Sequence, residues 1–355
     1  MRSKNNLPPL LLRADAGAAT GTGHVMRSLA LAQAWQARGG TAAFLSHCEA
    51  RGLSERIEAA GIGSIPLEER HPAASDLETT IAMLSRLTAP FIALDGYHFD
   101  SEYQLRLREA GNRILVIDDN AHLGRYHADI ILNQNLGASR LAYPRDSDTV
   151  LLLEPRYALL RTQFRAWSDW HRDIPRQANK VLVTLGGGDS DNVTLKVIEA
   201  LRRPGRTGLE TRIVAGPANP HIEILRHAAA ALSSQAEILT SVSDMASLMA
   251  WADVAVTAGG STSWELACMG LPSVTIVLAE NQKRSVKELV AAGVTASAGW
   301  HEHVTVDDLA AKLGELLRDP LQRLRMSDHG RALVDGKGAD RVVRALLERA
   351  CQRAA

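Results

Sequence analysis

Short apolar runs in the first half of the chain, LPPLLLRAD, TAAFLS, FIALDGY, NRILVIDD and ADIILN, alternate with longer stretches whose apolar residues recur at helical spacing. The runs have the length of strands and end in polar or glycine-rich turns, while the stretches between them read as amphipathic helices. This alternation predicts a parallel sheet covered on both faces, with functional residues gathered beyond the carboxyl ends of its strands. A second series begins at KVLVTLGGG and continues through TRIVAG, AEILT, ADVAVTAGG and PSVTIVL. Between the two series, Arg161 to Ala178 mixes charges and two tryptophans around Ile174 and Pro175 without a strand pattern. The expected division is an N-terminal Rossmann-like domain over residues 1–165, a linker over 166–178 and a C-terminal Rossmann-like domain over 179–355. The last helical pattern, Ala339 to Gln352, is expected to be able to cross back onto the first domain. Two doubly wound units facing each other would form an interdomain cleft suited to a small ligand.

Composition narrows the partners. The 355 residues exceed what one hydrophobic core usually supports, which agrees with two domains. Forty basic and forty acidic residues cancel without a long run of either sign, so neither nucleic acid nor an anionic membrane is an expected partner. Any phosphate site must therefore be local. Cys48, Cys268 and Cys351 are far apart and lack metal-binding or redox spacing, which suits reduced thiols in a cytoplasm. The basic start and short apolar run of the first fifteen residues do not read as a signal peptide, and no stretch is long and apolar enough to span a bilayer.

Three glycine-rich turns carry the candidate chemistry. Gly21-Thr22-Gly23-His24-Val25-Met26-Arg27 follows the first strand and opens a helix, where glycines admit a sharp turn and the helix start favours an anion. Met26 stands where a dinucleotide fingerprint needs its third glycine, which disfavours a nicotinamide enzyme. His24 and Arg27, three residues apart, share a face of the first turn. A neutral His24 at that position is suited to general-base work, the alternative being a histidine that packs locally. Gly186, Gly187 and Gly188 follow the strand KVLVT and bring amides within reach of phosphate oxygens, or form an ordinary turn capped by Asp or Asn. The turn lacks the lysine of a P-loop. Gly260, Ser261 and Thr262 offer backbone and hydroxyl donors to a diphosphate, and Glu265 a carboxylate to ribose hydroxyls or to a capping box. Asn281 and Gln282 carry amides suited to sugar hydroxyls or acetamido groups. Asp95 and Tyr97 end another strand, and Gly23, Arg27 and Arg161 join them as candidate contacts to substrate. Asp118 and Asp119 invite a metal reading but lack a ligand cluster, so neither metal nor other cofactor is expected.

Taken in order, RADAGAATGTGHVMRSLALA, LDGY, IDDNAH, ILNQN, LGGGDSDN, AGGSTSWELACMGLP and LAENQ resemble the motifs of the hydrolase family of pseudaminic acid biosynthesis, which releases UDP from UDP-2,4-diacetamido-2,4,6-trideoxy-β-L-altropyranose. The resemblance runs from about Arg13 to Gln282. A more distant resemblance, to the UDP-N-acetylglucosamine transferase of peptidoglycan synthesis, implies the GT-B arrangement of two facing Rossmann-like domains. By this resemblance His24 is the catalytic base, the substrate is a UDP-sugar, Gly260, Ser261, Thr262 and Glu265 surround diphosphate and ribose, and Asn281 and Tyr97 face the sugar. The implied reaction is metal-free attack of water with inversion. Transfer of the sugar to another acceptor is the enzymatic alternative, and a non-catalytic UDP-sugar-binding protein the other. Ser28 stands where the family often has cysteine, a change expected to alter packing and leave the base intact.

Overall fold

The computed structural model describes residues 7–17, 21–48, 51–88, 91–186, 189–203, 208–216, 219–232 and 235–352. The chain opens with β1 (Leu10–Ala14), α1 (Gly23–Gln36), β2 (Ala42–Ser46), α2 (Arg51–Ala59), β3 (Gly63–Pro66), α3 (Ala74–Arg86), β4 (Phe91–Asp95), α4 (Ser101–Glu109), β5 (Arg113–Ile117), β6 (Ile130–Asn133) and β7 (Val150–Leu153). A second series follows: β8 (Lys180–Thr184), α5 (Val193–Leu201), β9 (Glu210–Val214), α6 (Ile222–Ala230), β10 (Gln235–Leu239), α7 (Met245–Trp251), β11 (Val254–Ala258), α8 (Thr262–Cys268), β12 (Ser273–Val277), α9 (Glu280–Ala291), β13 (Thr295–Trp300), α10 (Val306–Arg318) and α11 (Pro320–Leu333). The chain closes with α12 (Gly338–Gln352). One unit comprises Met1–Thr162 with Gly336–Ala355, and the other Gln163–Asp335.

Each unit is built on a wholly parallel sheet. The first has the order β3-β2-β1-β4-β5-β6-β7 and the second β10-β9-β8-β11-β12-β13. In the first sheet the strand order reverses between β1 and β4, and the loops leaving those two strands diverge at that point. Strand β1 explains why this sheet is buried on both faces. Leu10, Leu12 and Ala14 join Val25 and Leu29 of α1 and Val342, Val343 and Leu346 of α12 in one core. Leu11 points the other way, into a core with Leu45, Ile92, Leu94 and Leu107. Each such leucine contributes about 1.5–3 kcal/mol when withdrawn from water.

The strands read from the sequence are present in both units, and the three it passed over are all peripheral. Strands β3, β7 and β13 lie at sheet edges, where GSIP, VLLL and TASAGW are short, partly exposed or poor in large apolar residues. Residues 166–178, expected to be a linker, lie within the second unit. The reason is Arg172, whose guanidinium donates to the carbonyls of Ala252, Met249 (2.7 Å) and Met269 (3.3 Å), where α7 and α8 end. Helix ends leave such carbonyls without intrahelical partners, and a cation there answers their dipoles. The division therefore falls after Thr162, not after residue 165, and α12 returns to the first unit.

The docking of α12 depends on Gly338, its first residue. A Cβ at this position would lie 2.2 Å from the carbonyl oxygen of Ala158 and 2.5 Å from the backbone carbon of Tyr157. Because both obstacles are backbone, Gly338→Ala forces the helix away from its seat. The expected cost is about 1–3 kcal/mol, or roughly 2–4 °C of melting midpoint per kcal/mol for a unit of this size. Calorimetry should show the loss in the transition of the first unit, with that of the second unchanged.

Candidate active site

The carboxyl ends of β1, β4 and β5 bring a chain of polar side chains together at the switch point of the first sheet. In-register pairing places Ala14 beside Asp95, and Asp95 beside Ile117. Gly23 begins α1, so His24 and Arg27 project from its first turn beside the end of β4. His24 Nδ1 lies 2.6 Å from Asp95 Oδ1. Arg27 donates from Nε to Asp95 Oδ2 (2.7 Å) and from Nη2 to Asp95 Oδ1 (2.6 Å), and its Nη1 donates to Asp119 Oδ2 (2.7 Å). Ser28 adds a hydroxyl donor to Asp95 Oδ2 at 3.1 Å. Asp119 in turn accepts from the Tyr97 hydroxyl at 2.9 Å and from Asn135 Nδ2 at 2.7 Å. The Tyr97 ring stands edge-on to His24, with centroids 5.1 Å apart.

Electrostatics follow from this packing. Asp95 is fully buried, which by itself raises a carboxyl group, yet Arg27 and His24 outweigh burial and hold it at about 2. Burial likewise opposes the charge of Arg27, and Asp119 with Asp95 reverses that effect, holding the guanidinium well above its ordinary value. An ionised Asp95 can only accept a hydrogen bond from His24, so Nδ1 bears the hydrogen and Nε2 carries the lone pair. The carboxylate fixes the tautomer and would stabilise an imidazolium formed when Nε2 takes a proton.

Arg27, expected to touch substrate, is 6% exposed and engaged between two carboxylates; its placement is that of a clamp on Asp95. Arg161 is also buried in this unit. Ser28, Asp119 and Asn135 were not singled out from the sequence as parts of this site. Their signal was present in the ordered motifs RADAGAATGTGHVMRSLALA, IDDNAH and ILNQN, but only the tertiary structure shows which partner each one meets. Among the described residues no group of three or more His, Cys, Asp or Glu is arranged to hold a metal ion.

In the second unit the two glycine turns differ. After β8, Gly186 has φ +102°, while Gly187 lies outside the described residues. At the start of α5, Asp189 accepts from Val193 N (2.8 Å) and Thr194 N (2.9 Å), the capping that the sequence offered as the alternative for this turn. A carboxylate thus takes the place an anion would take. After β11, by contrast, Ser261 caps α8 without a side-chain hydrogen bond, so the capping alternative for this turn is not realised by Ser261. Gly260, Ser261 and Thr262 lead into α8, with Glu265 in its first turn. Asn281 is exposed at the head of α9. Gln282, expected to reach the sugar, turns its Oε1 inward to accept from Gly259 N (3.2 Å) and Leu278 N (2.9 Å), tying the turns after β11 and β12 together. A Cβ on Gly259 would lie 2.3 Å from Val286 and 3.1 Å from Gln282, so only glycine permits this closure.

The depressed pKa of Asp95 has a measurable consequence. A group lowered on folding stabilises the native state above its ordinary pKa, and that contribution disappears as pH falls through the native value. Asp95→Asn should therefore melt below the unchanged protein at pH 7. The difference between the two melting midpoints should close as the pH is lowered through about 4 to about 2.

Comparison with known proteins agrees with this architecture. Residues 181–341 match the family profile of the glycosyltransferase family 28 C-terminal domain. The spore coat polysaccharide biosynthesis protein SpsG of Bacillus subtilis is 27% identical over 241 residues, which cover 68% of this chain and 70% of that protein. A UDP-N-acetylglucosamine–N-acetylmuramyl-(pentapeptide) pyrophosphoryl-undecaprenol N-acetylglucosamine transferase of Xanthomonas oryzae is 31% identical over 189 residues, covering 50% of this chain and 41% of the transferase. The chain thus spans less than half the length of that transferase. The crystal structure of Acinetobacter baumannii MurG superposes with a TM-score of 0.67 at 16% identity, over 96% of this chain and all of that one. No helix among the described residues is long and apolar enough to cross a membrane. With its two parallel-sheet α/β domains, of seven and six strands among the described residues, this chain has the GT-B fold.

Proposed function

We propose that the protein displaces UDP from the anomeric carbon of a UDP-sugar, with His24 as the general base toward the attacking hydroxyl. The observation that carries this reading is the 2.6 Å contact between His24 Nδ1 and the buried, ionised Asp95, which leaves Nε2 as the basic atom. In the reaction Nε2 takes the proton of the nucleophile, its oxygen bonds to the anomeric carbon, and the bond from that carbon to the diphosphate oxygen breaks with its electron pair going to UDP. Attack opposite the leaving group inverts the centre. A diphosphate is a good leaving group, so one base with donors at the departing charge suffices and a pair of carboxylates is not required. In this assignment Gly260, Ser261, Thr262 and Glu265 receive diphosphate and ribose, and Asn281 and Tyr97 serve the sugar. Arg27 and Gln282 hold other groups in place, and no metal takes part.

Two nucleophiles fit this chemistry. The matched family profile and the Xanthomonas oryzae relative bear the names of glycosyltransferases, which favours an acceptor hydroxyl. The ordered motifs from Arg13 to Gln282 favour water and the hydrolysis of UDP-2,4-diacetamido-2,4,6-trideoxy-β-L-altropyranose. Incubation with candidate UDP-sugars, followed by NMR, separates them. UDP release without an acceptor identifies water as the nucleophile, and release that awaits an added sugar or alcohol identifies transfer. Binding of UDP-sugars without turnover under either condition would contradict the catalytic proposal.

His24→Asn retains size and some hydrogen bonding but loses the base. Turnover should fall by about 10²- to 10⁴-fold while UDP affinity, measured by calorimetric titration, changes little. Near-normal turnover would move the base elsewhere.

Glu265→Ala should weaken UDP binding by about 1.5–3 kcal/mol, the order of a hydrogen bond to a charged group. Equal affinity in the two proteins would remove Glu265 from the ribose site.

A further inference from the structure

His122 sits on the loop between β5 and β6 with about one third of its side chain exposed (32%), and both of its ring nitrogens face acceptors. Nδ1 lies 3.1 Å from Asp118 Oδ2, and Nε2 lies 3.1 Å from the carbonyl oxygen of Tyr97. A neutral imidazole has one N–H and one lone pair, so either tautomer turns a lone pair toward an oxygen. Only the imidazolium donates to both. Asp118 has the charge this requires. Burial would raise it, but His122, the Tyr126 hydroxyl and the backbone N–H of Asn120 (2.7 Å) hold it below its ordinary value. The hydrogen bond to Asp118 raises His122 in return, against the smaller opposing effect of burial.

Among the described residues, the titratable and charged groups against His122 are Asp118 and Tyr126 on its own loop and Tyr97 on the loop after β4. Tyr97 leads on through its hydroxyl to Asp119 and Arg27. Its ring meets two imidazoles, His24 at 5.1 Å between centroids and His122 at 6.0 Å, both nearly perpendicular. We propose that His122 is a positioning residue held as an imidazolium, whose two N–H donors fasten the loop after β5 to the Tyr97 backbone and so fix the Tyr97 ring against His24. This rests on the reading of His24 as the base and adds to it a dependence on pH. A histidine raised on folding is charged below its ordinary pKa and loses the charge as pH rises through the native value. Fastening therefore fails on the alkaline side.

Ring-labelled histidine and tyrosine make the test direct. In the unchanged protein both His122 nitrogens should be protonated at neutral pH, the Tyr97 ring resonances should move with the same midpoint as His122, and turnover should fall at that midpoint. Asp118→Asn should bring the His122 titration to lower pH. His122→Gln, which cannot donate to both partners at once, should remove the alkaline limb and lower turnover by roughly tenfold, with UDP affinity unchanged. A His122 nitrogen without its proton at neutral pH, Tyr97 resonances that ignore the His122 titration, or an alkaline limb that persists in His122→Gln would each overturn the proposal. If no UDP-sugar is turned over by the unchanged protein, the catalytic reading fails alone, and the ring resonances still decide the role of His122.

Discussion

The ionised carboxylate of Asp95, buried without exposure at the end of β4, is the group around which the first unit's site is arranged. A lone carboxylate in that position would be costly and would take up a proton. Arg27 prevents this by donating to both oxygens, and Ser28 supplies a further hydroxyl. Arg27 is itself buried between Asp95 and Asp119, so one guanidinium answers two carboxylates. That excess of negative charge beside His24 would suit the imidazole of the proposed general base, which becomes cationic on taking a proton. The same bonds orient the ring, since Asp95 fixes the hydrogen on Nδ1. Charge compensation and chemical orientation are one arrangement here.

Position in the sheet makes that arrangement possible. Strand order reverses between β1 and β4, so the loop leading to α1 and the end of β4 diverge and leave polar groups facing each other rather than the apolar core. Tyr97, Asp119 and Asn135 extend the network across the next two strands. Each is held by at least one other side chain, which gives the site rigidity through mutual hydrogen bonding.

The second unit distributes its polar groups differently. Asp189 closes the first amides of α5, so that helix start is occupied by the protein's own carboxylate. The turn after β11 carries no such cap from Ser261, and Gln282 braces it from behind through Gly259 and Leu278. Two turns with similar letters therefore differ in what they can offer an anion.

The residue pattern by itself determined the two parallel-sheet domains, because central strands buried on both faces must be continuous apolar runs, as in LLLRA of β1 and VAVTA of β11. It also marked His24, since glycines before a helix start are dictated by local backbone geometry. Edge strands such as β3 and β13 escaped because partial exposure relaxes the apolar requirement. The partners of the site residues were beyond its reach for another reason. His24 and Asp95 are 71 positions apart, and Arg27 and Asp119 92 apart, so their meeting depends on the register of β1, β4 and β5 and not on any local spacing. Gln282 and Asp189 teach the same lesson at shorter range: an amide or carboxylate at a strand end can face a ligand or its own backbone, and the choice is made by the packing of the neighbouring turns. Only the tertiary structure, which sets the competing acceptors side by side, decides between them.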